Sequence, residues 1–183
     1  MLQMQEETVK INISNLSQGT HEYELSKKAV DLELQENFIG DVAAHVTLEK
    51  SSRQILLRAR IMSHASFQCD RCLDEFKKEI SPAFQLVYVW DVQEHSAEGD
   101  EDIRTLTSDT NMIDISDAVR DSALLAVPLK LLCREDCAGL CQRCGKNLNH
   151  TADGSCDCGP GEVDSRWNKL AGLVEVSMSK KKN

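Results

Sequence analysis

This 183-residue chain predicts an α+β fold: an antiparallel β-meander, open or closed into a barrel, with one covering helix, a cysteine-rich knuckle and a short C-terminal helix. Three observations carry that reading. Apolar residues alternate with polar ones through the first half, a single amphipathic stretch in the second half is ended by proline, and six of the 8 cysteines fall between Cys133 and Cys158.

The alternation comes in runs. Val9, Ile11 and Ile13 form the first; Val42, Ala44, Val46 and Leu48 the second; Ile55, Leu57, Ala59 and Ile61 the third. Residues two apart share one face of a strand, so each run reads as a half-buried antiparallel strand. Ser51-Ser52 supplies a turn between the second and third, and the third continues through Phe67 to Cys69. A fourth run, Phe84-Gln85-Leu86-Val87-Tyr88-Val89-Trp90, follows Pro82, which lacks an N–H and therefore bends or ends a strand there. The aromatics Phe67, Phe76, Phe84, Tyr88 and Trp90 can stack on bases, but core packing is their simpler role.

Between Asp91 and Asp121 stand ten acidic residues and two basic ones. Residues 91–113 read as a solvated acidic loop, or as an acidic docking surface. Asp114 or Ser116 then caps a helix that presents Ile115, Ala118, Val119 and Ala126, is stopped by Pro128 and covers the sheet. Asp164 caps the short C-terminal helix, with Trp167, Leu170 and Ala171 at helical spacing. The chain thus divides into a β-rich core (1–132), a cysteine module (133–176) and a basic tail (177–183) ending in Lys180-Lys181-Lys182.

No apolar stretch approaches the roughly 20 residues that span a bilayer. The opening residues 1–7 are acidic and polar, where an export signal has a basic start and an apolar run. The expected location is the cytoplasm, where thiols stay reduced and clustered cysteines hold metal more often than they form disulfides. His21, His45, His64, His95 and His150 are scattered without triad partners, and neither a phosphate loop nor a catalytic carboxylate pair stands out. The expectation is a protein that is not an enzyme, with no membrane contact and no small-molecule substrate.

The cysteines read geometrically. Cys69-Asp70-Arg71-Cys72 lies where one strand gives way to the next, so its thiols flank either a two-residue hairpin loop or a looser knuckle, and in both cases one metal ion can take both sulfurs. Cys133 and Cys137 are four apart, which on one turn of helix places both on one face, with Gly139 as a left-handed cap. In Cys141-Gln142-Arg143-Cys144-Gly145 the glycine lets the chain reverse and aim N–H groups at a thiolate, as in a zinc knuckle. Cys156-Asp157-Cys158 answers it among Gly154, Gly159, Pro160 and Gly161, in a strand or a turn. The simplest division is two closed four-thiolate zinc sites: Cys69, Cys72, Cys133 and Cys137; and Cys141, Cys144, Cys156 and Cys158. The rivals are a single zinc on the downstream cysteines, with Cys69 and Cys72 a separate pair, or a dithiol redox centre; His150 is near enough to replace a ligand. Redox Cys-x-x-Cys motifs sit at a helix N-terminus in a βαβ unit, and neither Cys69 nor Cys141 is in one.

Cys69-Asp70-Arg71-Cys72-Leu73, Pro128-Leu129-Lys130, Gly139-Leu140-Cys141, Cys144-Gly145-Lys146-Asn147-Leu148-Asn149, Cys156-Asp157-Cys158 and Asp164-Ser165-Arg166-Trp167 together resemble the YceD family, the large ribosomal RNA subunit accumulation proteins of bacteria and plastids. The resemblance implies a role in accumulation of large-subunit ribosomal RNA and supplies no molecular mechanism. Some members have the first Cys-x-x-Cys without the downstream knuckle, which favours two separable sites. The expected function is a zinc-binding ribosome-assembly factor whose partner is large-subunit RNA or a large-subunit ribosomal protein; the alternative is a zinc-stabilised protein-interaction adaptor without RNA contact. Arg71, Arg134, Arg143 and Lys146, beside the cysteines, are the candidate contacts. A net charge of -9 gives no overall basic footprint.

Overall fold

The structure, a computed structural model, describes residues 9–90, 102–151 and 154–158. The expected C-terminal helix from Asp164, the lysine tail and residues 91–101 of the acidic stretch lie outside the described residues.

Among the described residues eight strands and one α-helix are formed: β1 (Lys10–Asn12), β2 (Gly19–Lys28), β3 (Phe38–Lys50), β4 (Gln54–Gln68), β5 (Glu75–Ile80), β6 (Ala83–Val89), β7 (Ile103–Thr105), β8 (Met112–Asp114) and α1 (Ser116–Leu125). The long strand β4 organises the main sheet. One of its edges takes β3 antiparallel; the other is shared, with β6 against Gln54–Arg60 and β5 against Ser63–Gln68. Pro82 sits at the handover, between the end of β5 and the start of β6, and its carbonyl accepts the Ile61 N–H at 2.9 Å. The tight β3–β4 turn is closed by Ser51, whose N–H and Oγ both donate to the Gln54 carbonyl.

The sheet order is β2-β3-β4-β6-β7 with β5 beside β4, so the sheet is open and the barrel alternative is not realised. The two ends of the order are the reason: among the described residues β2 pairs only β3 and the three-residue β7 pairs only β6, in parallel. The meander reading also needs correcting at its start. The run Val9, Ile11 and Ile13 does not lead the sheet; β1 pairs β8 in a separate two-stranded sheet. Residues 91–113 are not loop throughout, because β7 and most of β8 lie within them.

The alternation translates directly into burial. Val42, Ala44, Val46, Leu48, Ile55, Leu57, Ala59 and Ile61 are all buried on one face of β3 and β4. At roughly 1.5–3 kcal/mol for each large side chain withdrawn from water, this face is the main driving force of the core. Phe67 and Tyr88 join it, and Phe76, Phe84 and Trp90 pack against it, so the aromatics serve the core. Helix α1 buries Val119 and Ala123 there, with Ile115 as its N-cap residue. Neither expected cap occupies that position, yet the Asp114 carboxylate accepts the Ser116 N–H at 2.9 Å from one residue earlier. Partial burial alone would raise the Asp114 pKa; the bonds from Ser116 and the Lys10 ammonium outweigh it and lower the value.

The chain forms two compact units. Among the described residues, one carries the sheets and helix, running to Asp70 and from Asp74 to Cys133; the other comprises Arg71–Leu73 and the described residues from Arg134 to Cys158.

Candidate metal centres

The β4–β5 connection is the wider of the two expected shapes. The Cys69 N–H donates to the Asp74 carbonyl at 2.9 Å, prolonging the ladder, and Leu73 turns the chain with a φ of 62°. Asp70 is tied to Leu131 twice: its N–H donates to the Leu131 carbonyl (2.8 Å) and its Oδ2 accepts the Leu131 N–H (2.7 Å). That pairing holds Leu131, two residues before Cys133, against the residue that follows Cys69. Arg71 makes the matching arrangement, donating from Nη1 to the Cys137 carbonyl (2.9 Å) while its own carbonyl accepts the Leu140 N–H (3.1 Å).

Cys133 and Cys137 are not on a helical turn. The Cys137 N–H closes a tighter turn onto the Arg134 carbonyl at 3.2 Å, and the next donor, the Ala138 N–H, is taken by the Asn149 side chain rather than by a continuing helix. Gly139 does adopt the left-handed conformation, φ 76°, and a Cβ there would meet the Arg71 carbonyl oxygen at 3.2 Å. Gly139→Val therefore combines backbone strain with a contact against rigid backbone. It should destabilise this segment by about 1–3 kcal/mol, read as earlier loss of amide protection at Leu140 and Cys141.

The second cysteine group is built as a knuckle. The Cys141 N–H donates to the Lys146 carbonyl (2.8 Å), the Gly145 N–H to the Cys141 carbonyl (2.9 Å), and the Arg143 N–H reaches Cys141 Sγ at 3.5 Å. Gly145 has the expected positive φ of 71°. Cys156 and Cys158 enter on a turn rather than a strand, and the Arg143 guanidinium donates to the Cys158 carbonyl.

Two sets of thiols come together: Cys69, Cys72, Cys133 and Cys137; and Cys141, Cys144, Cys156 and Cys158, each with its sulfurs within 4.8 Å of one another. Four sulfurs bound to one zinc at about 2.3 Å stand about 3.8 Å apart, so either set can close on a metal ion with small side-chain adjustments. None of the eight is in a disulfide. His150 belongs to neither set.

Their electrostatics suit a cation. The Cys144 N–H first, then the Cys156 thiol and the Arg143 N–H, hold Cys141 down to about 6, while hydrogen bonds with the Cys144 and Cys156 thiols push Cys158 up to about 12. Four thiols at this spacing do not all ionise together unless a positive ion compensates them. In the first set the Asn149 Nδ2–H donates to Cys137 Sγ at 3.3 Å. Asn149 is itself fixed by Asn147 Oδ1, which accepts from both its N–H (3.0 Å) and its Nδ2 (2.9 Å), and its Oδ1 accepts from Arg134 Nη2 at 2.7 Å. Neither asparagine is among the site residues that the sequence suggests. The available cue is their spacing, since Asn-x-Asn is a pattern in which side chains bond backbone N–H groups two residues on.

Of the four cationic candidates, Arg71, Arg134 and Arg143 thus hold loop carbonyls or the Asn149 side chain, with Arg134 also 3.4 Å from Asp136. Lys146 is exposed.

Residues 57–174 match the family described as large ribosomal RNA subunit accumulation protein YceD. An Arabidopsis thaliana protein named large ribosomal RNA subunit accumulation protein YCED homolog 1, chloroplastic, is 38% identical over 68 residues, covering 37% of this chain and 20% of that protein. The Zea mays protein of the same name is 47% identical over 51 residues, 28% of this chain and 17% of its own length. A Mycobacterium tuberculosis protein described as uncharacterized is 26% identical over 133 residues, 69% of this chain and 59% of its own. The chain therefore spans less than two thirds of each of these relatives. No solved structure matches it. No helix among the described residues is long and apolar enough to cross a membrane. Since the family match runs from Leu57 in β4 to Val174, beyond both cysteine sets and over more than half of the sequence, the chain belongs to the YceD family of large ribosomal RNA subunit accumulation proteins.

Proposed function

We propose that the chain is a non-enzymatic, zinc-binding cytoplasmic factor that supports accumulation of large-subunit ribosomal RNA and assembly of the ribosome. Family membership supports the biological role, and the pair of closed thiol tetrads supports the chemistry. Zinc suits four thiolates in a tetrahedral arrangement, and a site with four protein ligands has no open position for a substrate, so its contribution is structural. The residues that would hold the two ions are Cys69, Cys72, Cys133 and Cys137, and Cys141, Cys144, Cys156 and Cys158. The partner is large-subunit RNA or a large-subunit ribosomal protein, with Arg71, Arg134, Arg143 and Lys146 available as contacts beside the tetrads.

Protein purified without oxidant should contain about two zinc ions per chain by elemental analysis; one ion would defeat the two-site division. Loss of the protein should lower mature large-subunit RNA relative to small-subunit RNA, and unchanged subunit profiles in a depleted strain would sink the ribosomal reading. The net charge of -9 favours one other reading, a zinc-stabilised adaptor that binds protein alone. Salt-dependent binding of a large-subunit RNA fragment separates the two.

A further inference from the structure

Strand β2 is a long sheet edge. It runs for ten residues and, among the described residues, pairs only β3, so its outer side ends the main sheet. The phase of the ladder fixes which groups that side offers. The Ser51 N–H closes the β3–β4 turn onto the Gln54 carbonyl, so odd-numbered residues of β3 bond β4, while even-numbered ones such as Ala44 and Val46 bond β2. Their partners on β2 are Leu25 and Tyr23, and the Ala29 N–H keeps the same phase by donating to the Gly40 carbonyl at 3.0 Å. Glu22, Glu24, Ser26 and Lys28 therefore turn their backbone N–H and C=O groups away from the sheet. Among the described residues no other element bonds them.

Such a row of backbone groups is a template for one more strand, and the side chains decide which strand. The same four residues are exposed, and their charges are ordered, with carboxylates at Glu22 and Glu24 and an ammonium at Lys28. A second copy added in parallel and in register would set glutamate on glutamate and lysine on lysine. Antiparallel pairing about a two-fold axis at Glu24 would oppose Glu24 to itself, and an axis at Tyr23 would oppose Glu22 to Glu24. An axis at Leu25 places Glu22 opposite Lys28 of the second copy, twice by symmetry, and Glu24 opposite Ser26, so no like charges face each other directly. On the inner face the buried Leu25 then meets its own copy, at a pair without mutual hydrogen bonds, where side chains come closest. Lys27 is half-buried on that face, a charge that deters indiscriminate strand addition, and here its stem lies against Tyr23 of the second copy. An axis at Ser26 also matches glutamate with lysine, but it sets Lys27 against Leu25 and overlaps residues 24–28 instead of 22–28.

We propose that the outer edge of β2 is an isologous interface at which two copies of this chain pair antiparallel about Leu25, joining their main sheets into one. The observation that carries it is the order of charge along an unpaired edge, which opposes most registers and matches this one.

The test measures the mass of the full zinc-loaded chain by sedimentation under reducing conditions, from about 1 µM to about 1 mM. The wild type should pass from monomer to dimer over that range. Ser26→Pro removes an outward N–H that the single chain does not use, and proline is tolerated on an edge strand. It should raise the dimer dissociation constant about tenfold or more, since two intermolecular hydrogen bonds are lost. Glu22→Lys and Lys28→Glu should each raise it about fivefold, and mixing the two variants should restore association as a heterodimer, because every opposed pair is then of unlike charge. An unchanged thermal midpoint at low concentration verifies that each variant is folded. In hydrogen exchange the amides of Glu22, Glu24, Ser26 and Lys28 should gain protection as the dimer forms. A monomer throughout the range would overturn the proposal, and protection of those four amides in that monomer would assign the edge to a segment of the same chain. A dimer indifferent to all three substitutions would overturn the β2 edge as its interface. Failure of the mixed variants to associate would overturn the register about Leu25.

Discussion

Cys72→Ser is expected to lower the thermal midpoint of the whole β-sheet core by about ten degrees or more, whereas Cys144→Ser should leave the sheet standing and lose only the knuckle. The difference follows from loop length and burial. The metal on Cys69, Cys72, Cys133 and Cys137 would close a loop of about sixty residues, from the end of β4 through β5 to β8 and α1, and Cys72 is only 3% exposed. Closing a loop of that size is worth about 4 kcal/mol in chain entropy alone, and binding of a structural zinc contributes on the order of 10 kcal/mol, against a typical domain stability of about 5–15 kcal/mol. In a domain of this size each kcal/mol moves the midpoint by about 2–8 °C. Cys144 is exposed and closes only the short segment to Cys156. Thermal unfolding followed by far-ultraviolet circular dichroism, with hydrogen exchange of the β3 and β4 amides, reads the contrast. Equal protection of those strands in both variants would mean that Cys69 and Cys72 are a buried pair and not ligands of a long-range site.

What the sequence reveals and what it hides have separate physical causes. Strands β3 and β4 are legible because one face is buried along their length, so a period of two is imposed on many residues at once. Strand β2 is not, although it has ten residues: it is an edge strand in which Leu25 alone is buried, and His-Glu-Tyr-Glu carries no apolar alternation. Strands β7 and β8 are three residues long, too short for any period, and form because β6 and the sequence-remote β1 offer them backbone partners. Pro128 and the Asp114 region place the helix within a few residues, but its cap differs because Asp114 bonds from one position earlier than an N-cap would. The cysteine grouping is legible because chelation depends on spacing. The pairing of Asp70 with Leu131 is not, since nothing local at Leu131 announces a partner about sixty residues away.

Zinc should leave the protein in two phases when a strong coloured chelator is added in excess. A chelator removes zinc either by entering the coordination shell directly or by waiting for the fold to open. Direct entry is available at Cys141, Cys144, Cys156 and Cys158, where Cys144 is exposed and the other three are only half-buried. It is obstructed at the other tetrad, where Cys69 is fully buried, Cys72 and Cys137 are 3% exposed and Cys133 alone is half-buried. The first ion should therefore be released at a rate that rises with chelator concentration, with no change in the sheet signal. Release of the second should be independent of chelator concentration, should quicken on adding urea, and should coincide with loss of β-sheet circular dichroism, because its rate is that of unfolding. Cys144→Ser should delete the first phase and keep the second, which assigns each phase to its tetrad. A single phase of two ions, or a second phase that still responds to chelator concentration, would show that burial does not protect the first tetrad and that its metal is not part of the folded core.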